Sequence, residues 1–371
     1  MSENKKAFKD WFDADAAKMM AAQMSAAYKG FNSRKFIRQA TSEIDSLEFN
    51  ARVMQFASAL RATLPDSIPE ALGILEKSLP DPLPDCEAVT DGWLQWPVGQ
   101  FIASYCVDYP GQAWPVMVAL TQRFSSEFAV RPFLESDPDW VLAGLRKLTQ
   151  HESPHVRRWC SEGCRPCLPW GKKLQFILDN PELIIEILDD LKDDPELYVR
   201  KSVANHLNDF SRQNPKFVLE TCGRWIAGAD KSRMWMINHA LRSLIKQGDS
   251  QALTLMGFTP PKQLIVHLKL SPKKLSIGES ITITLDTTNQ SAKPCSLLID
   301  FSIGYVKKSG QVSHKVFKWK TLKLKKEESV QLVKQIGLKN NSVRTLFPGK
   351  HEVRILVNGT CLAKGSFLLS K

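Results

Sequence analysis

A mainly α chain closed by a small all-β module is what these 371 residues should fold into. Three observations say so. Apolar residues recur at three- and four-residue steps through the first 260 residues, and one segment echoes another 43 residues on. After residue 260 the apolar period falls to two and the charge turns strongly positive. With 43% hydrophobic residues the chain can bury real cores, which excludes general disorder. No run approaches the roughly 20 apolar residues of a bilayer span, and the opening Met1 to Lys6 is not followed by an apolar signal core. A cytoplasmic protein with no membrane partner is therefore expected. Its eight cysteines suit free thiols in a reducing compartment.

In chain order, Asp15 to Met24 reads as a helix whose Met and Ala residues pack a core. Phe49 to Leu60 and Pro181 to Leu188 carry the stripe of buried helices. Short breaks at Pro65, Pro80, Pro110, Pro138, Pro195 and Pro215 separate such segments, since proline pushes the residue before it out of the helical region. Paired helices fit this spacing better than one long bundle. Pro154-His155-Val156-Arg157-Arg158 recurs as Leu197-Tyr198-Val199-Arg200-Lys201, with Val156 and Val199 43 residues apart. A period of roughly 40 to 47 residues is the HEAT type, so residues 1–259 should form a HEAT-like helical-repeat solenoid. Nothing in the chain suggests a coiled coil, and a monomer is expected.

Pro260-Pro261 marks the expected boundary. Beyond it Leu264–Leu268, Ser280–Leu285, Ser296–Phe301 and His351–Val357 are β-branched, often alternating segments bounded by turns. Several short strands in about 110 residues predict an immunoglobulin-like β-sandwich over 260–371, without the Cys…Trp…Cys signature of antibody domains. From residue 261 onward 18 Lys and 2 Arg face 6 acidic residues, a net of +14, which leaves −3 for the rest. Such a module is an electrostatic footprint for a polyanion, nucleic acid first, or else a solvated basic face.

The segment richest in chemistry runs from Ser153 to Trp170. A helix beginning near Pro154 and ended by Pro166 and Pro169 places Arg158 and Glu162 four apart, with Arg165 three further on. On an isolated helix this is an ion-pair row; beside a nucleic-acid groove it is a carboxylate among phosphate-binding cations. Cys160, Cys164 and Cys167 have the C-x3-C-x2-C spacing of three-cornered iron–sulfur sites. Here that spacing spans a helix end, without a glycine-rich cofactor loop or completing zinc ligands, and no cofactor or metal is expected. Phosphate-binding loops, dinucleotide fingerprints, nucleophile elbows and H-E-x-x-H are missing, against nucleotide hydrolysis, dinucleotide redox and zincin chemistry.

Taken in order, Ser125 to Leu134, His155 to Trp170 and Val199 to Asp209 resemble the AlkC branch of the AlkC/AlkD DNA glycosylases over roughly residues 30 to 258. Some AlkC-type proteins also carry a C-terminal immunoglobulin-like domain. The resemblance implies a monofunctional, nucleoid-associated bacterial glycosylase that removes cationic N-alkylated bases, notably 3-methylcytosine and 3-methyladenine, from duplex DNA in base excision repair. It also implies action on a lesion still held in the duplex. By the same resemblance Glu127, Glu162 and Asp209 fall on the active-site carboxylates and Trp170 on an aromatic near the lesion. Arg131, Arg158, Arg165 and Arg200 become phosphate contacts, with inter-helix ion pairing as the alternative. Lys307, Lys308, Lys315, Lys318 and Lys320 of the basic module are further candidates for the duplex. The competing reading is a HEAT-repeat scaffold that binds nucleic acid or protein without chemistry.

Overall fold

The computed structural model describes residues 7–341 and 344–371, save the side chain of Val89. The charged opening Met1 to Lys6 lies outside them. Two units emerge, Met1–Asn214 with Asp230–Ala240, and Pro215–Ala229 with Leu241–Lys371. The first is a HEAT-like array of short helices and the second contains the immunoglobulin-like sandwich. No described helix is long and apolar enough to cross a membrane.

Helix Ala14–Ala27 is capped by the Asp13 carboxylate and buries Ala16, Ala17, Met20, Ala21 and Met24. Helix Phe49–Arg61 buries Val53, Phe56, Ala57 and Leu60 along the expected stripe. Proline sits at the first or second position of helices Ile68–Ser78, Trp96–Tyr105, Pro110–Thr121, Arg131–Ser136, Pro138–Lys147 and Pro154–Glu162. There its missing N–H costs no hydrogen bond and its fixed φ starts the turn. The expected segment from Pro181 divides into a 3-10 turn, Pro181–Ile184, and a helix, Ile185–Leu191. Helix Pro154–Glu162 ends at Gly163, before either proline expected to stop it.

The 43-residue echo is a pair of adjacent helices, Pro154–Glu162 and Leu197–Asp209, packed side by side with Val156 and Val199 both fully buried. A shared arginine device accompanies them. Arg157 Nη1 donates to the carbonyls of His151 (2.9 Å) and Glu152 (2.8 Å), six and five residues earlier. Arg200 Nη1 donates to those of Asp194 and Pro195, at the same offsets. Each guanidinium closes the turn that enters its own helix. Arg157 also forks onto Asp194 (2.6 and 3.1 Å), tying one repeat to the next.

Among the described residues eight strands follow: β1 (Leu264–Ser271), β2 (Lys274–Ser276), β3 (Ser280–Asn289), β4 (Cys295–Val306), β5 (Val312–Leu324), β6 (Ser329–Gly337), β7 (Gly349–Val357) and β8 (Thr360–Ser370). One sheet runs β1-β3-β6 and the other β2-β8-β7-β4-β5, with β2 parallel to β8. Ile281, Ile283 and Leu285 of β3 face Ile299, Phe301 and Ile303 of β4 and Val353, Ile355 and Val357 of β7 in one core. Asn358 (φ 48°) and Gly359 (φ 77°) make the two-residue turn between β7 and β8, a conformation that favours this residue pair. Lys307 and Lys308 lie in the β4–β5 turn; Lys315, Lys318 and Lys320 lie on β5, an edge strand. Such lysines also protect an edge from pairing with another chain.

In the first unit one close approach is unforgiving. A Cβ on Gly92 would lie 1.8 Å from the Arg123 carbonyl oxygen, so the 92–96 turn can meet the 123–128 turn only through glycine. Gly92→Ala is expected to cost about 1–3 kcal/mol through forced backbone movement, read as a lower midpoint in urea unfolding.

Candidate active site

Three short stretches of the first unit supply the site. The turn after helix Pro110–Thr121 carries Glu127. Ser126 Oγ anchors that turn on the Met117 carbonyl (2.7 Å), and Ser125 Oγ donates to Glu127 Oε2 (3.0 Å). Helix Pro154–Glu162 and the turn after it carry Arg158, Glu162, Arg165 and Trp170. Helix Leu197–Asp209 presents Ser202 and, as its last residue, Asp209.

Their side chains form one continuous ion-paired row. Arg158 bridges Glu127 Oε2 (2.6 Å) and Glu162 Oε1 (3.3 Å), and Arg165 Nη1 takes up the same Glu162 oxygen (2.7 Å). Arg165 then forks onto Asp209 through Nε and Nη2, both at 3.1 Å. Ser202 Oγ donates to the other Glu162 oxygen (2.6 Å), and the Cys167 backbone N–H donates to Asp209 (3.3 Å). Three carboxylates thus alternate with two guanidiniums. All are largely withdrawn from water, with Glu162 and Arg165 only 5% and 6% exposed.

Burial alone would push the Glu162 carboxyl up, yet Arg158 and Arg165, with the hydrogen bonds from Ser202 and Arg165, hold it below its ordinary value. Asp209 moves the opposite way, because burial raises it by more than the Arg165 pairing lowers it. Arg158 is desolvated too, but Glu127 and Glu162 more than compensate and keep it charged. His206, buried against the Ser161 carbonyl, is pushed down to about 3 chiefly by burial and stays neutral.

Arg131 and Arg200 are placed apart from that row. Arg131, 5% exposed, donates to the carbonyls of Gly163 (3.4 Å), Arg165 (2.9 Å) and Lys172, gathering the turn that carries Arg165 and Trp170. Arg200 clamps its own turn, as described above. The lysines belong to the second unit. Trp170 is 71% exposed with φ 64°, its ring near Phe8 (6.0 Å), Phe49 (6.1 Å) and Trp96 (6.3 Å). Beside Glu127 and Arg158 lies a cavity of about 230 Å³ walled by Phe8, Trp11, Trp93, Trp96, Phe124 and Phe128, with Tyr198 under the Arg158 guanidinium.

Ser125 and Ser202 lie within segments that carry the resemblance but had no role assigned to them, and the aromatic wall had no motif. The pairs Phe8 and Trp11, Trp93 and Trp96, and Phe124 and Phe128, each three or four residues apart, are the local signal that could have pointed to the wall. Cys160 and Cys164 are buried, with Cys164 pushed up to about 12 by burial, while Cys167 is exposed. Among the described residues no group of three or more His, Cys, Asp or Glu is placed to hold a metal ion.

The chain's likenesses follow the same division. A family model described as the C-terminal Ig-like domain of the uncharacterised protein YhaZ matches residues 264–371. The protein described as uncharacterized protein YhaZ of Bacillus subtilis (strain 168) is 32% identical over 353 residues, 95% of this chain and 96% of that one. A solved structure of Pseudomonas fluorescens alkylpurine DNA glycosylase AlkC, bound to DNA containing an abasic site analog, aligns with a TM-score of 0.89 and 34% sequence identity. It covers 99% of this chain and 100% of that one.

The row has a pH signature. Because Glu162 titrates below its ordinary 4.5 in the folded chain, its stabilisation is complete above that value and fades as pH falls through the folded one. Asp209, raised from 3.8, contributes in the opposite sense. Glu162→Gln should cost about 1–3 kcal/mol in urea unfolding at neutral pH, with the gap to the parent narrowing below about pH 4. A gap constant down to pH 3 would contradict the charged role of Glu162.

Proposed function

From the premise that this chain belongs to the AlkC-type family, HEAT-like repeat proteins with a C-terminal immunoglobulin-like domain, we propose that it is a monofunctional DNA glycosylase acting on cationic N-alkylated bases. The observation that carries this reading is the alternating row Glu127–Arg158–Glu162–Arg165–Asp209, which pairs three largely buried carboxylates with two guanidiniums, with the exposed indole of Trp170 on the turn that carries Arg165.

The chemistry suits such a row. An N3-alkylated adenine or cytosine in DNA is a cation, so it leaves as a neutral base without being protonated first. As the bond from C1′ to the ring nitrogen lengthens, the bonding pair goes with the base and positive charge builds on the sugar. Fixed anions in a dry setting stabilise that charge without reorganising. Water adds at C1′ and gives its proton to a carboxylate, leaving an abasic sugar. The displaced titrations of two of the carboxylates divide these roles: Glu162, held ionised, is the fixed anion, and Asp209, with its raised pKa, is the better proton acceptor, while Glu127 joins the row through Arg158. Trp170 offers an exposed ring face to a cationic base or its sugar.

The reading extends to 3-methylcytosine and 3-methyladenine in duplex DNA as substrates, taken by a monomer without flipping the base. Leaving the lesion stacked avoids an extrusion cost of a few kcal/mol and replaces it with bending, of order 1–6 kcal/mol. Phosphate contacts offset that. We assign them to Lys307, Lys308, Lys315 and Lys318 of a domain spanning 260–371, following a catalytic domain at 1–259. Arg158 and Arg165 serve the carboxylates, and Arg131 and Arg200 the turns they clamp.

Base release from a duplex with one 3-methylcytosine or 3-methyladenine tests the reading. Glu162→Gln and Asp209→Asn should each slow single-turnover release on the order of 100- to 1,000-fold while duplex affinity holds. An intact protein that binds the duplex and releases neither base is a scaffold. Replacing Lys307, Lys308, Lys315 and Lys318 by Ala should flatten the salt dependence of binding, by about 0.9 in log–log slope per lost contact. Substitution is preferable to truncation after Phe258, because helices Pro215–Ile226 and Ser250–Leu255 belong to the same unit as the strands.

A further inference from the structure

We infer that Trp96 is a positioning residue of the site, setting the exposed indole of Trp170 against the turn that carries Glu127. Its consequence for catalysis rests on the glycosylase reading; the positioning itself does not.

Trp170 has little else to fix it. Its backbone is left-handed, its side chain is mostly in solvent, and its ring neighbours are Phe8, Phe49 and Trp96. Of those three rings, Trp96 alone among the described residues also packs on rings of the Glu127 turn. It stacks on Phe128 with centroids 5.5 Å apart and planes 14° apart, and contacts Phe124 at 5.2 Å. The contact to Trp170, with centroids 6.3 Å apart, is also near parallel at 26°. Offset stacks of this kind add roughly 0.5–1.5 kcal/mol per pair to area burial and restrict ring rotation.

Trp96 is itself pinned at its backbone. Gln95 before it is 3% exposed and exchanges side-chain amide bonds with Gln23 of helix Ala14–Ala27, at 2.9 and 3.0 Å. Pro97 after it fixes the first turn of helix Trp96–Tyr105. Gly92 brings this corner within van der Waals contact of Arg123 and Phe124. Trp96 and Glu127 both border the cavity of about 230 Å³, open space into which the Phe128 ring can fall once Trp96 is truncated, leaving Trp170 without its near-parallel neighbour.

The test uses the full chain labelled with 5-fluorotryptophan, the Trp170 line being assigned by its loss in Trp170→Phe. In Trp96→Ala that line should move toward its position in the unfolded protein, and Trp96→Phe should restore it. An unmoved Trp170 line in folded Trp96→Ala overturns the inference whatever the activity. In single-turnover release Trp96→Ala should be slower by on the order of 10- to 100-fold, with duplex affinity changed by less than about twofold. The double variant Trp96→Ala/Trp170→Ala should be no slower than Trp170→Ala alone, whereas losses that multiply overturn the inference. If Trp96→Ala unfolds, Trp96→Leu carries the same readings. A parent protein that releases no base defeats the glycosylase reading, and the fluorine line then decides the positioning alone.

Discussion

Pairing three carboxylates that are largely withdrawn from water is the constraint around which the first unit is arranged. Removing an ion from water costs several kcal/mol, and two unit charges 4 Å apart recover about 4 kcal/mol at an effective dielectric near 20. A single pair would barely balance. Alternation changes that, because each guanidinium in the row Glu127–Arg158–Glu162–Arg165–Asp209 faces two carboxylates, and Glu162 faces two guanidiniums. Ser125, Ser202 and the Cys167 N–H occupy lone pairs that the arginines leave over.

Such a row is worth having only if it cannot relax. Its members come from a turn, a helix and a second helix, so their separations depend on how the repeats are locked. The paired devices of Arg157 and Arg200 set the entry of the two helices, and the fork from Arg157 to Asp194 holds one repeat against the next. Arg131 gathers three carbonyls beneath the turn of Arg165. These arginines are structural for the same reason the others are electrostatic: a planar fork satisfies several acceptors at fixed angles, which an ammonium does not.

Most of the fold was legible because it rests on periodicity. The stripe at Val53, Phe56, Ala57 and Leu60, the proline-opened helices and the alternation of Ile281, Ile283 and Leu285 are local patterns that survive in one dimension. The 43-residue echo predicted neighbouring helices and found them in Pro154–Glu162 and Leu197–Asp209. Strands β2, β5, β6 and β8 were harder. β5 does alternate, with Phe317, Trp319 and Leu322 packed on the core between the exposed Lys318, Lys320 and Lys323, but a bulge opposite Ile299 and Asp300 interrupts its period of two. Within the site, Arg158, Glu162 and Arg165 were readable from helical spacing, whereas their closure onto Glu127, 31 residues before Arg158, and Asp209, 44 residues after Arg165, depends on tertiary packing. The aromatic wall is further still from sequence logic, since Phe8, Trp96 and Trp170 meet only when distant turns converge.

Charge placement follows from the same constraint. A surface built to hold a polyanion wants many lysines, but lysines crowded around Glu127, Glu162 and Asp209 would lower the free energy of their ionised forms in the ground state. They would also screen the developing cation that the carboxylates are proposed to stabilise. The chain avoids this conflict by composition. Its first 260 residues are nearly balanced at −3, with the site's cations committed to its own carboxylates and carbonyls, while the +14 excess is confined to the final third. Long-range attraction weakens with salt over a Debye length of about 8–10 Å, whereas the buried row is shielded from it. On the proposed function, affinity for DNA would rest on surface lysines and stabilisation of the transition state on groups that solvent scarcely reaches, so that the two can be tuned separately.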